Sequence, residues 1–383
     1  MIKLHSWAFP AVALALLIGD GALAQDTVKI GFHAPQTGFA AADGTSALNG
    51  AELAVEQANA EGGIDGAQIE LVVYDDQAEP KQAVPIATKL IEQDGVKVAV
   101  SGSYSAPTRA AAGVFEEAGI PYLSAYAVHP DITRAGPYVF RTSFVGEVQG
   151  RAGAKLVGED LDKHRVVLIT LNNDFGKSLT AGFEEAADRY AIDIVAEYEY
   201  AIQDRQFGPI VAQVRADQPD AIYATGYFFT AGPLVSQLRA AGVDVPVIGQ
   251  EGYDSAKFVE IAGDAAEGVI ITTSLDRDSD SPEVQAFIEE FEQKAGFPAD
   301  MVAASAHTAL KVAIEAMREA GAEDPEAIRE AIAATDLEAS TGRISFNQLG
   351  EVQKDVQVQV VQDGAFHRHS VIHDPELLAP PES

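Results

Sequence analysis

The sequence predicts an α/β protein of two lobes, each a doubly wound parallel sheet, and two observations carry that expectation. Residues 98–124 and 221–248 spell the same pattern. Each has an apolar strand, a small-residue turn with a tyrosine (Tyr104, Tyr227), a helix stopped by glycine (Gly119, Gly242) and a second apolar strand. Strand and helix patterns also alternate along nearly the whole chain, which favours parallel crossovers over a sandwich or a bundle. At 383 residues the chain is too long for one ordinary core and suits two. Open parallel sheets gather ligands at the carboxyl ends of their strands, so two matching lobes imply a guest held between them.

Taken in order, residues 28–32 read as the first strand, followed by a turn at Pro35 to Gly38. A helix is expected over 47–61, with Leu48, Ala51, Leu53, Ala54 and Ala58 on its inner side. Gly62, Gly63 and Gly66 turn the chain into a strand over 69–74, with Asp75 and Asp76 at its solvated end. A helix over 80–93 and a strand over 96–100 follow. Between the two similar units lie a strand over 165–171, a turn over 172–176 and a helix over 178–190. Helices are expected over 282–295 and 303–320, and over 325–334 with Asp324 as N-cap. Residues 356–361 alternate apolar and polar, the mark of an edge or half-exposed strand. The acidic, proline-bearing tail from Asp374 is expected to be loose. No long linker separates the lobes, so the chain should cross between them more than once.

Composition narrows the partners. Hydrophobic residues make up 47% and charged residues 22%, a globular balance. The 58 acidic residues against 26 Lys and Arg give a formal charge of −32. Such a surface repels nucleic acid and anionic membranes, which need basic patches. The first 24 residues read as a signal peptide: Lys3 and His5 open it, an apolar run over 8–18 is too short to span a bilayer, and Ala22-Leu23-Ala24 offers a cleavage site. The only tryptophan, Trp7, falls within it. The chain has no cysteine, hence no disulfide and no lipid-bearing cysteine at the cleavage point. Periplasmic export as a non-lipoprotein is the expectation.

No glycine-rich nucleotide loop, nucleophile elbow or zinc-protease motif is present. Asp174-Phe175-Gly176 matches the kinase metal triplet by chance, since the accompanying loops are missing. His367, His369 and His373 crowd near the end and could hold a metal, although a solvated strand and tail explain them better. Asp75 and Asp76, adjacent on a strand, point to opposite faces and do not form a shared acid–base pair. Ser105 follows a strand and opens a helix, where a hydroxyl and unpaired N–H groups can meet a carboxylate; an ordinary N-cap serine is the alternative. Glu251, flanked by Gly249 and Gly252 just past a strand, is placed to receive an ammonium or to be a plain loop acid. Phe175, in the turn after residue 171, and Tyr227, at a strand end, are aromatics for the cleft mouth or for the core.

These residues, together with Gly50-Ala51-Glu52-Leu53-Ala54-Val55, Tyr74-Asp75-Asp76 with Pro80, Pro130 to Thr133 with Phe140-Arg141-Thr142, and Ala262-Gly263 with Ala266-Glu267-Gly268, resemble the Leu/Ile/Val-binding proteins of the type I periplasmic binding protein family. The resemblance covers nearly all of the mature chain. It implies two lobes joined by a three-segment hinge and closing over an amino acid, with 25–145 and 275–354 in one lobe and 146–274 and 355–383 in the other. It also implies that Ser105 holds the ligand carboxylate, Glu251 the α-ammonium, and Phe175 and Tyr227 cover the ligand. A family threonine falls on Val128, a small residue on Tyr126 and a tyrosine on Asp43. An extra acid and an extra phenol point to a more polar or cationic ligand, or one of a different size, with Tyr104 also tuning selectivity.

The expectation is therefore a monomeric periplasmic receptor for a small amino acid, serving an ABC permease and ATPase complex, with no cofactor, no metal and no catalysis. Alternatives are a receptor for an aromatic acid, an amide or a urea-like solute, a sensor subunit, and a secreted hydrolase using Asp75, Asp76 or a histidine.

Overall fold

The structure, a computed structural model, describes residues 1–3 and 27–380; the expected signal peptide lies outside them apart from its first three residues. The first sheet grows from β1 (Thr27–Ala34), α1 (Ala41–Ala60), β2 (Gln68–Asp75), α2 (Pro80–Lys89), β3 (Ala99–Ser101), α3 (Ser105–Ala118), β4 (Tyr122–Ser124) and β5 (Val139–Arg141). Its five strands pair in the order β2-β1-β3-β4-β5, all parallel. The second is built from α4 (Gly146–Lys155), β6 (Arg165–Leu171), α5 (Asp174–Ala187), β7 (Asp193–Tyr200), α6 (Gly208–Asp217), β8 (Ala221–Ala224), α7 (Phe228–Ala240), β9 (Val247–Gly249), α8 (Ala256–Ala262) and β10 (Ile270–Thr273). The chain then returns to the first sheet with α9 (Pro282–Ala295), α10 (Met301–Ala320), α11 (Pro325–Ala333) and the hairpin β11 (Asp336–Ala339) and β12 (Gly342–Ser345). It ends back on the second with β13 (Val356–Gln362) and β14 (Ala365–Ile372), giving the order β14-β13-β10-β9-β8-β6-β7. The two sheets are the cores of two lobes, and the chain passes between them after β5, after β10 and after β12.

The return of α10 to α1 is fixed by close packing. A Cβ on Gly50 would lie 2.2 Å from the Ala303 carbonyl oxygen, so only glycine lets the helices approach this far. Ser46 donates to Asp300 at 2.6 Å and Arg318 to the Ala58 carbonyl at 3.1 Å, tying both ends of the pair. Two of the inter-lobe passages are clamped by a buried ion pair. Arg141, at the end of β5, donates to both Glu351 oxygens at 2.9 and 3.1 Å, and neither residue reaches solvent appreciably. Among the described residues no helix is long and apolar enough to cross a membrane.

Several expectations need correction. The second sheet is mixed, because β13 runs antiparallel to both β10 and β14. The turn Asp363-Gly364, both at positive φ, folds the last two strands into a hairpin, and β14, not β13, is the edge. Asp76 is not solvated. It is fully buried against His33 Nδ1 at 2.6 Å, whose Nε2 meets the Tyr122 hydroxyl at 2.6 Å, while Asp75 faces the other way and caps the Gln36 N–H at 2.9 Å. The tail is not loose as far as residue 380. Leu377 and Leu378 are buried, and Arg151 donates to the Leu377 and Ala379 carbonyls at 2.9 and 2.7 Å. α1 and α5 start earlier than expected, and β3 is three residues instead of five. His367 pairs with Asp278 at 3.4 Å and His373 with Asp355 at 2.6 Å.

Candidate ligand-binding cleft

The candidate site is a narrow cavity between the lobes. Asp43, Tyr104, Ser105, Tyr126, Phe175, Tyr227 and Glu251 all line it. Val128 does not, although it is buried directly behind the lining and its N–H donates to Ser105 Oγ at 3.3 Å.

Ser105 is the first helical residue of α3, and Tyr104 holds the N-cap position in an extended conformation. The ordinary N-cap reading of Ser105 is thereby excluded. Its oxygen accepts from Val128, which leaves its own proton free to be donated. The first-turn N–H groups of Ser105 and Ala106 have no carbonyl one turn back, and Pro107 has no N–H to offer. A small corner of hydrogen-bond donors results, with the positive end of the helix behind it.

Glu251 approaches from the other lobe, in the short turn Glu251–Tyr253 that follows β9. It is only 2% exposed, so the loop-acid reading fails. One oxygen accepts from Gln149 Nε2 at 2.8 Å, whereas the other, Oε1, is buried with no hydrogen-bond partner. Burial pushes its carboxyl up to about 8, against the opposing pull of Lys354 and Gln149. Lys354 Nζ is likewise buried without a partner, 5.0 Å over the Phe144 ring, and burial lowers it to about 7. An unpaired buried carboxylate oxygen is costly, and a donor arriving from the cavity would satisfy it.

Aromatic rings close the cleft. Tyr227 is the N-cap residue of α7, not a strand end, and Phe175 lies in the first turn of α5, not in the preceding loop. Tyr227 is stacked on Tyr104 of the facing lobe at 4.3 Å and on Phe175 of its own at 4.7 Å. Such pairs contribute about 0.5–1.5 kcal/mol each beyond the area they bury. Phe39 meets Phe229 edge-on at 5.8 Å and Arg109 pairs with Asp174 at 2.9 Å, so the lobes touch along the rim as well. Within the second lobe, Gly252 lets the Glu251 turn lie against the segment that follows β8: a Cβ there would sit 2.2 Å from the Gly226 carbonyl oxygen. Tyr126 donates to the Gly102 carbonyl at 2.6 Å and so turns ring, not hydroxyl, toward a guest.

Asp254, Ser255, Met301 and Val302 complete the wall and were not singled out from the sequence. Asp254 is neutralised by Arg277, a pair made with a residue 23 positions away, and by the Thr273 hydroxyl at 2.6 Å. The sequence did carry one usable signal for Met301 and Val302. Asp300 caps the long helix that they open, accepting from the Ala303 N–H at 2.8 Å. Gln149 and Lys354 gave none, because they reach Glu251 only through the fold. Among the described residues no group of three or more His, Asp or Glu is gathered as a metal site.

The family model described as periplasmic binding protein matches residues 27–365. The leucine-, isoleucine-, valine-, threonine- and alanine-binding protein of Pseudomonas aeruginosa is 31% identical, over 90% of this chain and 92% of its own. The Leu/Ile/Val-binding protein of Escherichia coli is 27% identical, over 90% and 93%. Among solved structures, the branched-chain amino acid transporter substrate binding protein of Streptococcus pneumoniae in complex with isoleucine superposes with a TM-score of 0.84 at 30% identity, over 90% of this chain and 99% of that one. A solute binding protein of an ABC transporter from R. palustris in complex with benzoate gives 0.82 at 25% identity, over 90% and 96%. With a closed two-lobed cleft and a match along nearly its whole described length, the chain belongs to the periplasmic binding protein family.

Proposed function

We propose that the chain is the solute receptor of an ABC importer. It captures a small α-amino acid between a lobe of residues 25–145 and 275–354 and a lobe of residues 146–274 and 355–383. The loaded, closed form is then presented to a membrane permease with its ATPase. The carrying observation is the pairing, across one cavity, of the Ser105 corner on the first lobe with the unpartnered Glu251 oxygen on the second. The carboxylate of an amino acid fits the former and its ammonium the latter, while Phe175, Tyr227, Tyr104 and Tyr126 surround the remainder. Ligands lacking either charge leave a buried group unpaired, which is the source of discrimination. Contact with both lobes stabilises the closed form. The protein acts as a periplasmic monomer, released by cleavage after residue 24, and carries out no turnover.

Glu251→Ala is expected to weaken binding of an amine-bearing ligand at least tenfold, or about 1.4 kcal/mol. Unchanged calorimetric affinity rejects the assigned role. A second reading, an aromatic acid as ligand, draws on the stacked faces of Tyr104, Tyr227 and Phe175 and on the lack of a hydroxyl at Val128. A thermal-shift screen separates them: amino acids would fail and benzoate-like acids would raise the melting temperature.

A further inference from the structure

The ammonium and carboxylate poles account for only one of the two cavity-lining acids that have no Lys or Arg ion pair among the described residues. Asp43 is the other. It sits in the first turn of α1, where an acid ordinarily serves the helix end. Among the described residues its side chain has one hydrogen bond, from the Tyr104 hydroxyl at 2.6 Å. It is 6% exposed, it lines the cavity, and no Lys or Arg pairs with it among the described residues.

The neighbouring acids are already satisfied. Asp254 is held by Arg277 and Thr273, and Asp300 by Ser46 at 2.6 Å and the Ala303 N–H at 2.8 Å. Among the described residues no Lys or Arg lines the cavity. The surroundings of the two free acids are also separate. Asp300 is the charge that acts on Asp43, whereas Lys354, Asp254 and Arg141 act on Glu251. Burial first, and then Asp300, push the Asp43 carboxyl up to about 7 against the Tyr104 hydrogen bond, as expected of an acid lacking a cation.

We propose that Asp43, with Tyr104, is a second recognition pole that selects amino acids whose side chains end in a cation over those with aliphatic side chains. The inference rests on the amino-acid reading given above. A branched aliphatic zwitterion would satisfy Ser105 and Glu251 and leave Asp43 as a buried charge without a partner. A basic amino acid satisfies all three, and the aromatic walls cover its methylenes.

Calorimetry of the purified protein, freed of bound solute by unfolding and refolding, tests this at about pH 8 with L-ornithine, L-lysine, L-arginine, L-leucine and L-norleucine. At least one basic amino acid is expected to bind about tenfold or more tightly than norleucine. Asp43→Asn, which keeps the shape and a hydrogen-bonding partner for Tyr104, is expected to erase most of that preference, and Asp43→Leu to reverse it. Circular dichroism of Asp43→Asn guards against a folding defect. Leucine or norleucine binding as tightly as every basic amino acid overturns the proposal while leaving the amino-acid reading intact. An unchanged preference in folded Asp43→Asn also overturns it. If no amino acid binds and benzoate does, both fall together.

Discussion

Replacing Glu351 by glutamine should expose how much of the molecule depends on one buried charge pair. Arg141 is fully buried and directs four hydrogen bonds, two to the Glu351 carboxylate at 2.9 and 3.1 Å, one to the Ala127 carbonyl at 2.8 Å and one to the His129 carbonyl at 2.7 Å. Thr133 Oγ1 adds a short hydrogen bond to the same carboxylate. The amide in Glu351→Gln presents one acceptor and an NH₂ group, so the guanidinium keeps its charge and loses its counter-ion in a fully buried site. Breaking a buried pair from one side costs about 3–5 kcal/mol. A chain of this size has a urea m-value of about 3 kcal/mol/M or more, so the midpoint should fall by about 1 M. Equilibrium urea unfolding followed by circular dichroism measures it. The double variant Arg141→Met with Glu351→Leu, which removes both charges, should lose less than Glu351→Gln alone. A midpoint shift in Glu351→Gln below about 0.3 M, roughly 1 kcal/mol, would refute the assignment. Ligand affinity should fall with stability, because the Ala127 and His129 carbonyls belong to the loop that carries Tyr126 and Val128.

Two further outcomes follow from the packing and from the buried acids. Gly50→Ala forces a Cβ to within 2.2 Å of the Ala303 carbonyl oxygen, so α1 and α10 must separate; a loss of about 1–3 kcal/mol and a lower melting temperature are expected. Glu251, raised from 4.5 to about 8, holds a proton in the folded protein that the unfolded chain has shed. Its contribution to stability is therefore largest below pH 4.5 and declines as pH rises through that window. The depressed Lys354, at about 7, acts in the opposite sense, its contribution rising with pH from about 7 toward 10.5. Glu251→Gln should flatten the decline between pH 4.5 and 7 in a series of urea midpoints, and an unaltered slope counts against the buried carboxyl as its origin.

Much of the architecture was readable because parallel α/β units advertise themselves. The apolar run of β6 and the proline-started α9 coincide with their expected bounds, and the two similar units do lie in different sheets. What escaped has identifiable reasons. Asp43, Gly44 and Thr45 are poor helix formers, so packing and not propensity starts α1 at Ala41. Strands of three residues, such as β3 and β9, are too short for a period to declare itself. The burial of Asp76 depends on His33 and Tyr122, which are 43 and 46 residues away along the chain, and no local pattern reports such a meeting. The same holds for the cleft. Ser105 and Glu251 stood out because a strand end and a helix start are local features, whereas Gln149, Lys354 and the Arg277–Asp254 pair join the site only when distant segments come together. The tail was misjudged because composition cannot reveal that Arg151 waits for its carbonyls.

The ring of Tyr104 lies 4.3 Å from that of Tyr227, 8° from parallel, with one ring on each lobe. Residues 27–380 contain no tryptophan, so tyrosine emission and near-ultraviolet dichroism from this chain are not drowned by a stronger chromophore. Parting the lobes must break that coupled pair. The protein thus carries its own optical gauge of opening, readable without any attached dye.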